Sequence, residues 1–263
     1  MDLGLKGQVV MVCGASSGLG LAVAEEFARE GARIAICARS ADELERQTAR
    51  LSSTHSVEVL PVAADLSNAD GVNAAFTGVL NGFGGVDALV TNAGGPPAAR
   101  FEHTNDSEWE AAFQLTLMHV VRLSRLAAPI MRQRGGGRIV NLVSISVKQV
   151  VENLVLSTAI RSAVVGLAKT LATELGPWGI TVNNVCPGYI GTKRLESLWG
   201  GAAEKAGITF DEYCRNQAKA IPLGRIGTPQ DVAALVVFLA SSRASYLTGA
   251  TIQVDGGLYK GLL

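Results

Sequence analysis

Seven short runs of small and β-branched apolar residues recur along the chain, at 8–13, 33–38, 57–62, 88–91, 138–143, 181–186 and 251–254. They are apolar throughout rather than alternating, which is expected of strands covered on both faces in a parallel sheet. Longer stretches with helical spacing separate them, at 19–30, 41–51, 69–83, 107–134, 156–175 and 229–239. This alternation predicts repeated βαβ units, and so a doubly wound α/β sandwich around a seven-stranded parallel sheet, in one domain over residues 1–263. One stretch breaks the rhythm. Residues 193–222 set Leu195, Leu198, Trp199, Ile208, Phe210 and Tyr213 among Gly200, Gly201 and charges. A connection that long inside a compact domain is more often functional than structural, so a helical substrate lid is expected there.

Composition fits this picture. Hydrophobic residues make up 48% of the chain and charged residues 17%, as expected of a large core between two helical layers. Lys and Arg number 23 and so do Asp and Glu, so no net field draws the protein to nucleic acid or an anionic membrane, and small-molecule partners are expected. Residues 1–7 lead straight into an apolar run without a basic flank or a cleavage site, which points to a cytoplasmic protein. Gly14, Arg33 and Arg138 are among the residues that interrupt apolar runs, and no membrane span is expected. Cys13, Cys37, Cys186 and Cys214 have no metal or disulfide spacing and are expected to be idle thiols. His55, His103 and His119 are expected at the surface or packed inside, with no metal site.

The sharpest local signal lies between the first strand and the first helix, at Cys13-Gly14-Ala15-Ser16-Ser17-Gly18-Leu19-Gly20. Glycines there allow a tight turn and close backbone approach, and the following helix N-terminus offers free N–H groups to a pyrophosphate. The glycine spacing differs from the commonest dinucleotide fingerprint. Together with Asp65-Leu66, Asn92-Ala93-Gly94, Pro187-Gly188 with Ile190, and Asp255-Gly256-Gly257, it resembles the short-chain dehydrogenases/reductases over essentially the whole chain.

That resemblance implies a Rossmann-like fold and a nicotinamide dinucleotide held by these motifs. At the end of the second strand, where an acid would favour the free ribose of NAD, the chain has Ala38 and then Arg39. A guanidinium there implies NADP(H), through charge-assisted bonds to the 2′-phosphate. A homotetramer or homodimer is implied as well, pairing helices 107–134 and 156–175 through small residues such as Ala159, Ser162, Ala163 and Gly166.

The family's working set is Asn, Ser, Tyr and Lys. By register these positions hold Thr116, Ser144, Ser157 and Arg161, so only the serine is kept. An aliphatic hydroxyl is a far weaker acid than the phenol it would replace, and Arg161 is expected to hold the nicotinamide ribose without relaying a proton. Surrogate proton donors are Lys148, Ser146 and Tyr189. The chain thus resembles a divergent branch near the 3-oxoacyl carrier-protein reductases. Two readings stay open: an oxidoreductase acting on a small, mostly apolar carbonyl or alcohol, and a catalytically silent NADP(H)-binding sensor or scaffold. The apolar lid and the sequence Gly94-Gly95-Pro96-Pro97 point to a roomy pocket, with Lys193 and Arg194 as its conspicuous cations.

Overall fold

The computed structural model describes residues 2–262. Its strands are β1 (Val9–Cys13), β2 (Arg33–Ala38), β3 (Val59–Ala63), β4 (Ala88–Thr91), β5 (Gly137–Leu142), β6 (Ile180–Pro187) and β7 (Thr251–Val254). They form one seven-stranded sheet in the order β3-β2-β1-β4-β5-β6-β7, and every neighbouring pair is parallel. The chain winds outward from β1 in one direction and from β4 in the other. The crevice between these two strands, at their carboxyl ends, is where such sheets bind ligands.

Around the sheet lie α1 (Gly18–Arg29), α2 (Ala41–His55), α3 (Ala69–Phe83), α4 (Asp106–Phe113), α5 (His119–Gln133), α6 (Val155–Leu175), α7 (Lys193–Lys205), α8 (Phe210–Ala218) and α9 (Pro229–Ala240). Because side chains alternate across a strand, β1 feeds two separate cores. Val10 and Val12 pack with Phe27 of α1, Leu44 of α2 and Val236 of α9. Val9, Met11 and Cys13 pack on the opposite face with Val79 of α3, Met131 of α5 and Ala172 of α6. A row of polar residues crosses the sheet between them. Thr91 Oγ1 donates to Asn141 Oδ1 at 2.7 Å, Asn141 Nδ2 to Asn184 Oδ1 at 2.9 Å, and Asn184 Nδ2 to Thr251 Oγ1 at 3.0 Å. Buried amides so paired hold β4 to β7 in register.

Three expectations need correction. The third strand starts at Val59 instead of residue 57, and neither edge strand is covered on both faces: Pro61 is exposed and β7 is only partly buried. An edge strand has one unpaired side, which is also why a proline is tolerated in β3. The stretch 107–134 is helical but not uniform, since a π-helical turn over Gln114–Met118 separates α4 from α5. The apolar spacing continues through such a turn, so periodicity does not reveal it. Lastly, Val155–Trp178 is long and apolar enough to cross a membrane by length and composition. In the fold, Leu156, Ile160, Val164, Ala168 and Ala172 from this stretch are buried against the sheet and its neighbouring helices, while Ala159, Ala163 and Gly166 on its other face are exposed.

Candidate functional site

A cleft of about 1240 Å³ opens over the carboxyl ends of the strands, running from Arg39 past the glycine turn to Ser144, Arg161 and Trp199. Its first wall is the turn from β1 into α1. Gly14 and Gly18 have left-handed φ angles of 61° and 57°. At Gly20 a Cβ would lie 2.2 Å from the Gly14 carbonyl oxygen, so only glycine lets α1 begin this close to the turn. Several helices carry side-chain caps: Ser40 caps α2, Asn68 caps α3, Thr209 caps α8, and Asn105 and Thr228 make reciprocal capping boxes on α4 and α9, whereas α1, α5, α6 and α7 have none. The Ser17 side chain makes no such bond to α1. The first N–H groups of α1 thus have no side-chain acceptor, beside Ser16, Ser17, Gly18 and Leu19 in the cleft wall.

Asn92, at the end of β4, ties this turn to the next strand by donating from Nδ2 to the Cys13 carbonyl at 3.3 Å. Asp65 lies at the Arg39 end, where its carboxylate accepts from Ser67 N at 3.0 Å. That bond, then the Arg39 guanidinium, hold it below the usual carboxylate range. Leu66 and Asn92-Ala93-Gly94 complete the wall. A dinucleotide fits this half of the cleft by three features: an uncapped helix N-terminus for a diphosphate, a bare glycine turn for close approach, and an exposed guanidinium at the end of β2 for a further phosphate.

The other half is built from the ends of β5 and β6. Ser144 follows β5 and caps a short 3₁₀ turn, its Oγ accepting from Ser146 N at 3.1 Å. That bond uses an oxygen lone pair and leaves the hydroxyl proton able to donate into the cleft. In the first two turns of α6, Ser157 and Arg161 are buried and line the floor. Arg161 Nη1 donates to the Leu142 carbonyl at 2.9 Å, while its Nε is buried without a partner among the described residues. Burial, then the nearby Arg194 charge, push Arg161 down to about 10, still cationic at neutral pH. Beside it, His119 is held at about 3 by burial and then by the Arg161 cation, so it is neutral. Thr116 sits buried on the π turn with its hydroxyl unpartnered among the described residues.

Pro187 ends β6, and Gly188 after it carries the chain along the cleft. Gly188 lies directly on Asp255, whose carboxylate is occupied by Gly257 N at 2.9 Å and Tyr259 N at 2.8 Å. Ile190 is buried and bridges to Gly227. Tyr189 lines the cleft and stacks edge-on against Trp199 at 4.7 Å, and Trp199 in turn meets Tyr213 at 5.7 Å. The stretch 193–222 is thus the helical pair α7 and α8, pinned to the β6 end by an aromatic stack. Burial, then Tyr213, raise the Tyr189 phenol above its ordinary value.

Ser144, Ser157, Arg161 and Tyr189 therefore share one cleft, whereas Lys148 and Ser146 lie outside its lining. Lys148 is partly buried near Cys186. The thiols are free: Cys13, Cys37 and Cys186 are buried, and Cys214 is partly so. Thr192 escaped the motif reading. Its methyl group packs over Gly18, joining the start of α7 to the glycine turn, a contact with no local sequence signature.

A model for the family described as enoyl-(acyl carrier protein) reductase matches residues 14–259. The chain is 36% identical over 249 residues to the short-chain reductase protein NovJ of Streptomyces niveus, covering 95% of this chain and 93% of that one. It is 32% identical over 257 residues to the 3-oxoacyl-[acyl-carrier-protein] reductase FabG of Vibrio cholerae, covering 98% and 99%. Among solved structures, the L-sorbose reductase of Gluconobacter frateurii, crystallised with NADPH and L-sorbose, superposes with a TM-score of 0.96 at 37% identity over 100% of both chains. With its motifs gathered around one cleft and its relatives matched end to end, the chain belongs to the short-chain dehydrogenase/reductase family.

Proposed function

We propose that the protein is an NADP(H)-dependent oxidoreductase acting on the carbonyl or alcohol group of a small, mostly apolar substrate, with 3-oxoacyl compounds as one class to test. The observation that carries this is a single cleft with a glycine turn and Arg39 at one end and the Ser144 hydroxyl and the buried Arg161 cation lining the other. When bound, the nicotinamide supplies or accepts the hydride. The chain's own groups do the rest. Arg39 meets the 2′-phosphate; the α1 N-terminus meets the diphosphate; Asp65, Asn92 and Arg161 orient the nucleoside parts. Ser144 donates to the substrate oxygen, where negative charge grows as the carbonyl is reduced, and the Arg161 charge stabilises the same region.

In this reading Ser157 and Arg161 stand where the family has its Tyr and Lys, so the proton comes from another group. Tyr189 is the better placed donor: it lines the cleft, and a phenol, although burial raises it and weakens it as an acid, is still a far stronger acid than the Ser157 hydroxyl and can give its proton to an alkoxide. Tyr189→Phe is expected to lower kcat by about tenfold or more, and Lys148→Met to change it by less than about threefold. The opposite order in steady-state kinetics would return Lys148 as the donor.

The test of the cofactor reading is calorimetry with both nucleotides. NADPH is expected to bind at least about tenfold more tightly than NADH, and Arg39→Asp to reverse the order. Equal affinities in the parent protein would sink the assignment. If NADPH binds but no ketone, 3-oxoacyl thioester or enone is reduced, the silent sensor or scaffold replaces the enzyme.

For assembly we propose a homodimer or homotetramer through α5 and α6. The outer face of α6 exposes Ala159, Ser162, Ala163 and Gly166, which lets a second helix approach closely. Light scattering at micromolar concentration is expected to give a multiple of the 27.4 kDa chain mass; a monomer would count against this interface.

A further inference from the structure

The substrate half of the cleft is lined by Arg161, Arg194 and the exposed Lys193 against one acid, the exposed Glu152, and no ion pair joins them among the described residues. Arg161 is more than nine-tenths buried, and Arg194, at the start of α7, is about half-buried in the same lining. Neither guanidinium has a carboxylate within salt-bridge distance among the described residues. They are close enough for Arg194 to depress the ionisation of Arg161. Uncompensated cations in a partly desolvated cleft are costly unless an anion meets them.

Arg194 is also held in place. Its Nη2 donates to the Pro96 carbonyl at 2.6 Å, and the guanidinium lies against the bare Cα of Gly95, where a Cβ would come within 2.7 Å of Nη2. This contact fixes one edge of the fork and leaves its other N–H groups available. The surroundings are apolar, with Leu195 buried and Leu198 and Trp199 in the same wall. A planar carboxylate on a short carbon chain suits that combination, because a guanidinium presents parallel N–H groups to two oxygens.

We infer that the substrate is an oxo acid, or the matching hydroxy acid, whose carboxylate binds Arg194 in front of the buried Arg161. This rests on the oxidoreductase reading for the reaction, while the anion site itself is testable without turnover.

The probe is hexanoate, a carboxylate that cannot be reduced, titrated calorimetrically into the NADPH-loaded protein against hexan-1-ol as its neutral counterpart. Hexanoate is expected to bind at least about tenfold more tightly than hexanol, and Arg194→Met to remove the difference while NADPH affinity stays within about threefold. Arg194→Lys should recover part of it, since a lysine keeps the charge without the fork. Gly95→Ala, which pushes the guanidinium aside without removing it, should weaken hexanoate in the same direction and guards against a misfolded Met variant. In turnover, 2-oxohexanoate should have a kcat/KM at least about tenfold above hexan-2-one, with most of the gain in KM. Equal binding of hexanoate and hexanol overturns the proposal. So does an Arg194→Met variant that loses NADPH about tenfold while keeping hexanoate, because the guanidinium would then serve the cofactor's diphosphate. If hexanoate binding depends on Arg194 but neither carbonyl compound is reduced, the anion site stands and the oxidoreductase reading fails.

Discussion

Ser144→Ala is expected to lower kcat by about 10²-fold or more, with little change in NADPH affinity, because it removes a donor aimed at developing charge. The geometry supports a large effect. Ser146 N occupies a lone pair of Ser144 Oγ at 3.1 Å and fixes the hydroxyl, so little reorganisation is needed when the substrate oxygen becomes negative. Ser157→Ala should be mild by contrast, under about tenfold, since that hydroxyl is too weak an acid to supply the proton. Stopped-flow measurement of NADPH oxidation on a ketone that the parent protein reduces separates the two. A Ser144→Ala variant within threefold of the parent would remove the serine from the chemistry. The double change Ser157→Tyr with Arg161→Lys tests the same pocket from the other side. It is expected to give little gain on the native substrate, because Ser157 and Arg161 are buried in a floor packed without a phenol. A large gain would favour a reductase scaffold that had lost its acid, and with it the silent reading of the natural protein.

Gly20→Ala is expected to cost both stability and cofactor. The added carbon would sit 2.2 Å from the Gly14 oxygen and 2.6 Å from its carbonyl carbon, and both are backbone atoms that cannot swing aside. Forced overpacking costs about 1–3 kcal/mol, and here the relief has to come from shifting α1 away from the turn. The urea midpoint should fall accordingly, and NADPH affinity should fall by at least about tenfold because the N–H groups at the start of α1 move with the helix. Gly200→Ala is the matched control. It lies within α7 with nothing near its would-be Cβ, so it should be neutral or stabilising by up to about 1 kcal/mol, since alanine is the better helix former. Parent-like NADPH binding in Gly20→Ala would show that the turn tolerates what its geometry forbids.

The chain's local patterns determined much of this protein. The apolar runs became parallel strands, and for the central ones, β1, β2, β4, β5 and β6, burial on both faces leaves no room for polar alternation; Ala38-Arg39, a cation where an acid would favour NAD, marked the end of β2 as the place that chooses the cofactor. The glycine turn was legible for a similar reason: φ angles of 61° and 57° are open mainly to glycine, so residue type reports backbone shape directly. Tertiary structure decided the rest. The π turn that carries Thr116 follows from how one helix packs, and its apolar spacing is the same as that of an uninterrupted helix. From sequence Lys148 is the first surrogate donor and Tyr189 the next, and only folding puts Tyr189 in the cleft wall and Lys148 outside it. Gly95 and Arg194 are far apart along the chain, with no shared period or motif. Their contact, and the unmatched pair of cations that comes with it, exist only once α7 is laid across the end of β4. Local patterns specify strands and turns through the chemistry of neighbours in sequence; the charge balance of a cleft depends on neighbours in space.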